Sequence, residues 1–115
     1  MASQASGCHY CIAHTSNSAL EKNIPIEKVK KIWEFENSEC FSKSEKAALR
    51  IALNAAQTPN LISDEDYNQF KKYFDENQQI EILAIISLFG FLNRWNSSLM
   101  TEIESLPLNR IKELE

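Results

Sequence analysis

Glycine and proline are scarce in this chain: two glycines and three prolines among 115 residues. That excludes collagen-like repeats, flexible Gly-rich linkers and the turn-dense all-β folds. Alternating apolar and polar residues, the mark of a half-buried strand, are equally rare. No basic run stands out, and the formal net charge is −4. Neutralising a phosphate backbone needs clustered Lys and Arg, so nucleic-acid binding is not expected. The longest apolar stretch, Ile80 to Leu92, is broken by Glu81, Ser87 and Gly90. It is too short to cross a bilayer, so no membrane role is expected, and it reads as a buried core helix. The start of the chain lacks the basic and apolar regions of a signal peptide. The expected compartment is the cytoplasm, where paired cysteines are more often catalytic or metal-binding than structural.

What is present is helical periodicity. Apolar residues make up 43% and charged residues 24% of a chain whose length fits one domain. A helix is expected from about His9 to Lys22, closed by the turn Asn23-Ile24-Pro25. A second follows Pro25, with Ile26, Val29, Lys30 and Trp33 on one face. After a polar loop from Glu34 to Ser42, the pair Ser42 and Glu45 forms a capping-box pattern. It opens a helix with Ala48, Ile51, Ala52 and Ala55 facing inward. Ser63 followed by Asp64, Glu65 and Asp66 is another N-terminal signature, ahead of a stripe of Tyr67, Phe70, Tyr73 and Phe74. The longest helix is expected from roughly Gln78 to Glu104. The chain thus reads as one all-α domain over residues 1–106 with a short charged tail, residues 107–115. The apolar run exceeds what so small a bundle comfortably hides, which points to self-association.

The chemical signal is the stretch Cys8-His9-Tyr10-Cys11-Ile12-Ala13-His14. Cysteines at i and i+3 share a helix face and can close a reversible disulfide if the first sits at the helix start. The helix dipole there favours the thiolate, which is the nucleophile. His14, three residues beyond Cys11, is placed to take and return a proton near neutral pH. Three readings stay open: redox catalysis, a zinc site and an inert core. A structural zinc wants four ligands, and only Cys40 or His9 could add to Cys8, Cys11 and His14. His9 points away from that face and suits a surface contact. Cys40 reads as apolar filler, and Tyr10 either lines the site or only packs. Glu81 interrupts the apolar run and is either paired structurally or a proton relay. Arg94 is expected in a structural ion pair or an interface.

The segment Gly7-Cys8-His9-Tyr10-Cys11-Ile12-Ala13-His14-Thr15 resembles the signature of the carboxymuconolactone decarboxylase/AhpD-like superfamily, in its peroxidase-related branch. The likeness continues through Phe41-Ser42 with Glu45 to Leu49, through Ile62 to Asp66, and from Gln79 to Asn96. It implies an AhpD-like helical bundle that forms trimers or hexamers. It also implies reduction of hydroperoxides through the CxxC pair, with no cofactor beyond the redox-active disulfide Cys8–Cys11, no metal, and a separate thiol reductant. By the resemblance the second cysteine, Cys11, attacks and Cys8 resolves. Helix-terminus reasoning favours Cys8 instead.

Two departures matter. Where the best-known members carry their histidine, this chain has Thr15, and its histidine is His14. The family's relay carboxylate lies upstream of the first cysteine, yet the seven residues before Cys8 include no acid. Met1 reads either as an internal methionine of a longer protein or as the start of a short form. The catalytic set expected is therefore Cys11, Cys8 and His14, with Tyr10, Thr15 and Glu81 in support. The competing expectation is a non-catalytic helical oligomer whose Cys–Cys–His cluster is vestigial or binds metal.

Overall fold

Three capping boxes set the starts of the principal helices. Ser42, Ser63 and Asp75 each accept a backbone N–H three residues on, from Glu45, Asp66 and Gln78. Each of those residues reaches back to the N-cap backbone N–H. Every such cap is worth about 1 kcal/mol, so these polar residues fix the register of the apolar runs behind them. The computed structural model describes residues 1–114. In them the helices are α1 (Ala2–Ala5), α2 (His9–Glu21), α3 (Ile26–Lys30), α4 (Lys43–Ala55), α5 (Asp64–Tyr73), α6 (Glu76–Leu99) and α7 (Ser105–Leu114). A 3-10 turn, Ile32–Glu34, follows α3. Among the described residues there is no strand. Among these residues no helix is long and apolar enough to cross a membrane.

The fold is the all-α one expected. Helix α2 is sandwiched between α6 and α7, while α4 and α5 pair as a hairpin. The buried apolar residues are Phe35, Phe41, Ala47, Ile51, Ala52 and Phe70, together with Cys8, Cys11 and Ala13 at the start of α2. Asp66 binds the hairpin together: its carboxylate accepts from Ser63 N and Asn54 Nδ2, with Arg50 nearby.

Several boundaries differ from the sequence expectation. The helix after Pro25 stops at Lys30, and Trp33, expected on its inner face, is 60% exposed. Phe35, inside the supposedly polar loop, is the side chain that is buried instead. The long helix ends at Leu99 rather than Glu104, because Met100 adopts a left-handed backbone, φ 51°. Its N–H closes onto Asn96 and Ser97 carbonyls, the αL closure typical of helix ends. Helix α7 takes in residues 107–114 of the expected tail and packs along α2 with Pro107 buried. The middle of α6 is not enclosed: Ile85, Leu88, Phe91, Trp95 and Leu99 are all exposed on this single chain.

Candidate functional site

Gly7 has φ +64°, a conformation that costs a side-chain-bearing residue energy and glycine almost none. It turns the chain out of α1 and delivers Cys8 to the N-cap of α2 in extended backbone. The Cys8 sulfur then accepts the Cys11 N–H at 3.4 Å, doing for this helix what serine and aspartate do for the others. Both thiols are free, and both are buried, Cys8 at 1% and Cys11 at 3% exposure. Cys11 lies one turn further along α2. Burial, then the hydrogen bond and the charge of Cys8, push its thiol up to about 12. The opposing influence is Asn96 of α6, whose Nδ2 donates to the Cys11 sulfur at 3.8 Å.

His14 does not hydrogen-bond either sulfur. Its Nε2 meets Glu104 Oε2 at 2.6 Å, across 90 residues of sequence. Tyr10, one turn earlier on α2, donates its hydroxyl to Glu104 Oε1 at 3.3 Å. The Tyr10 and His14 rings lie 4.3 Å apart between centroids, so the two rings and the carboxylate form one cluster. Glu104's own backbone N–H, then His14 and Tyr10, hold its carboxyl below the usual range. Burial, and then the charge and hydrogen bond of Glu104, raise the Tyr10 phenol.

Of the residues expected in support, Tyr10 joins this cluster. Thr15 does not face the sulfurs: its hydroxyl bonds back to the carbonyls of Cys11, at 2.7 Å, and Ile12. Glu81 is exposed and lies by a groove near Met1 and Thr15, with no ion pair among the described residues. Arg94 forms no ion pair there either; its Nη1 donates to Gly90 O at 3.0 Å. His9 is exposed and Cys40 is half-buried. Among the described residues no group of three His, Cys, Asp or Glu side chains is arranged to hold a metal ion.

Glu104 and Asn96 are the two site residues that sequence reasoning missed. Asn96 carried no signal beyond its place in a helix. Glu104 was hidden by the boundary: assigned to the end of α6, it stood at no spacing that reaches α2. The left-handed Met100, which the sequence does not announce, frees the loop that carries it.

No family model matches the chain. Two curated relatives do. YnjA of Escherichia coli, an uncharacterised protein, is 29% identical over 106 residues, covering 92% of this chain and 57% of its own length. YdfG of Bacillus subtilis, also uncharacterised, is 26% identical over 95 residues, covering 82% of this chain and 63% of its own. Among solved structures, the debrominase Bmp8 in its apo form superposes with a TM-score of 0.92 at 36% identity. A cysteine-to-alanine variant of Bmp8 in complex with 2,3,4-tribromopyrrole gives 0.93 at 35%. Each covers 99% of this chain, which spans 61% of the Bmp8 chain. The chain therefore spans less than two thirds of these proteins.

Proposed function

We propose that this chain is a thiol oxidoreductase of the AhpD-like kind, in which Cys8 and Cys11 pass two electrons to an acceptor and close a disulfide. The observation that carries the reading is the asymmetric pair itself: one sulfur caps a helix and accepts an N–H, the other is held protonated beside it.

With a hydroperoxide as acceptor the steps balance. The Cys8 thiolate attacks the terminal peroxide oxygen, the O–O bond breaks, and the alkoxide takes one proton to leave as an alcohol. Cys8 is then a neutral sulfenic acid. Its charge no longer opposes ionisation of Cys11, which removes one of the influences that raise that thiol. Cys11 gives up its proton, by way of water to the imidazole of His14, and attacks the Cys8 sulfur. The S–O bond breaks, hydroxide leaves as water, and the disulfide remains. A dithiol reductant restores the pair. This order makes Cys8 the attacking sulfur, as helix-terminus reasoning favours.

A second acceptor is favoured by the structural likeness to Bmp8. The same two electrons serve a carbon–bromine bond. The Cys8 thiolate takes bromine from an activated ring to give a sulfenyl bromide, the ring carbanion takes a proton from water, and Cys11, giving its proton by way of water to His14, displaces bromide from the Cys8 sulfur as the disulfide forms.

Fully reduced protein, mixed under anaerobic conditions with cumene hydroperoxide or with 2,3,4-tribromopyrrole, separates these cases. Intact mass reads disulfide formation, and chromatography reads alcohol or bromide. One acceptor should oxidise the pair stoichiometrically in the wild type and fail to do so in Cys8→Ser and Cys11→Ser. Two alkylatable thiols persisting with both acceptors would overturn the proposal.

A further inference from the structure

We infer that Glu104 is the positioning carboxylate of this site, holding His14 in the tautomer that leaves Nδ1 as its proton-accepting nitrogen; the inference rests on the thiol reading above. The argument begins with the donor and acceptor inventory. An ionised carboxylate only accepts hydrogen bonds, and Glu104 is held ionised by its own N–H, by His14 and by Tyr10. At 2.6 Å from Glu104 Oε2, the His14 Nε2 must therefore carry the proton. In a neutral imidazole the other nitrogen is then the acceptor.

A lone exposed ion pair would not support this, since such pairs are often worth nothing measurable. Here both carboxylate oxygens are engaged, by two side chains of the same helix whose rings also pack on each other. The loop that carries Glu104 is itself fixed at the site. Thr101 N donates to the Asn96 carbonyl at 3.1 Å, while the Asn96 amide reaches the Cys11 sulfur. One residue thus anchors the acid's loop with its backbone and touches the resolving thiol with its side chain. Among the described residues no other carboxylate pairs with His14: Glu81 lies by a groove lined by α1, α2, α4 and α6 residues without His14, and Glu113 is paired with Arg110.

The test reads the imidazole directly and turnover separately. In protein labelled with 15N-histidine, above neutral pH, long-range 1H–15N spectra should show His14 as the Nε2–H tautomer. Glu104→Ala should convert it to a mixture and slow disulfide formation by about 10- to 100-fold, part of the 100- to 10,000-fold that a positioned base supplies. Glu104→Asp should recover part of both effects, and circular dichroism should show unchanged helicity. An unaltered tautomer in Glu104→Ala would overturn the inference, and so would an altered tautomer with undiminished turnover. If the wild type formed no disulfide, the thiol reading would fall, while the tautomer measurement would still decide whether Glu104 orients His14.

Discussion

His14 Nε2 and Glu104 Oε2 stand 2.6 Å apart, joining the first long helix to the loop before the last one. That contact places an acid–base pair one helical turn from Cys11, on a segment the sequence alone assigns to a different element. If His14 works through it, His14→Ala should slow disulfide formation by about 100-fold or more near neutral pH, in the range of general-base contributions. Helicity should be unchanged, because the ring is partly exposed and carries little of the core. A lowered melting temperature with undiminished turnover would assign His14 a purely structural role.

The two thiols should behave differently toward trapping. In Cys11→Ser, oxidation should stop at a sulfenic acid on Cys8, captured by dimedone and located by peptide mass spectrometry. In Cys8→Ser no such adduct should form at Cys11 near neutral pH. The reverse pattern would restore Cys11 as the attacking sulfur, as the family resemblance implies.

The pH dependence of Cys11 follows from burial and from its neighbour. With the thiol held up to about 12, alkylation of Cys11 should climb about tenfold per pH unit from neutrality to roughly pH 10, with no plateau. A free cysteine would level off above about 8.5. Asn96→Ala removes the amide that opposes the upward shift, so it should lower the rate further at every pH. Iodoacetamide kinetics, resolved by peptide, check both expectations.

Asp66 makes a prediction about stability. Burial raises its carboxyl, but hydrogen bonds from Ser63 and Asn54 and the charge of Arg50 outweigh that and leave it below the ordinary value. A carboxylate with a depressed folded-state value stabilises the fold above its unfolded value. That contribution is lost as pH falls through the folded one. Asp66→Ala should cost about 2 kcal/mol near neutral pH, the scale of hydrogen bonds to a charged group. In acid the difference from wild type should shrink. Urea melts at neutral and acidic pH would show it.

The exposed face of α6 carries the fifth prediction. Leu88, Phe91, Trp95 and Leu99 recur at helical spacing, and Trp95 is 56% exposed. Contiguous apolar patches of this kind mark contact surfaces. Sedimentation at micromolar concentration should give more than the monomer mass, and Leu88→Ser with Trp95→Ser should reduce it. A monomer mass for the wild type would remove self-association from the description.

Helix positions were legible because capping residues and the 3.6-residue period are local. Ser42 with Glu45 and Ser63 with Asp66 locate helix starts without knowledge of the fold. The cysteine pair was legible for the same reason. What sequence could not show depends on long-range geometry. Phe35 is buried from a polar-looking loop because tertiary packing overrides local composition. Thr15, at the family's histidine position, spends its hydroxyl on backbone carbonyls of its own helix. Glu81 looked costly only if α6 were enclosed, and on this chain its face is open to solvent. Glu104 needed the left-handed turn at Met100, a conformation that methionine does not advertise.

The capping sulfur has a thermodynamic corollary. Cys8 stabilises the first turn of α2 by accepting an N–H on its sulfur, and a disulfide sulfur, which cannot carry a charge, accepts more weakly than a thiolate. Oxidation would then loosen that turn, and reduction would restore it. Any interaction that favours the reduced form makes a disulfide a stronger oxidant and easier to regenerate. The folding energy of one helical turn and the reduction potential of the pair are thus two readings of a single equilibrium. Changes to Gly7 or to the start of α2 should shift that potential without altering either cysteine.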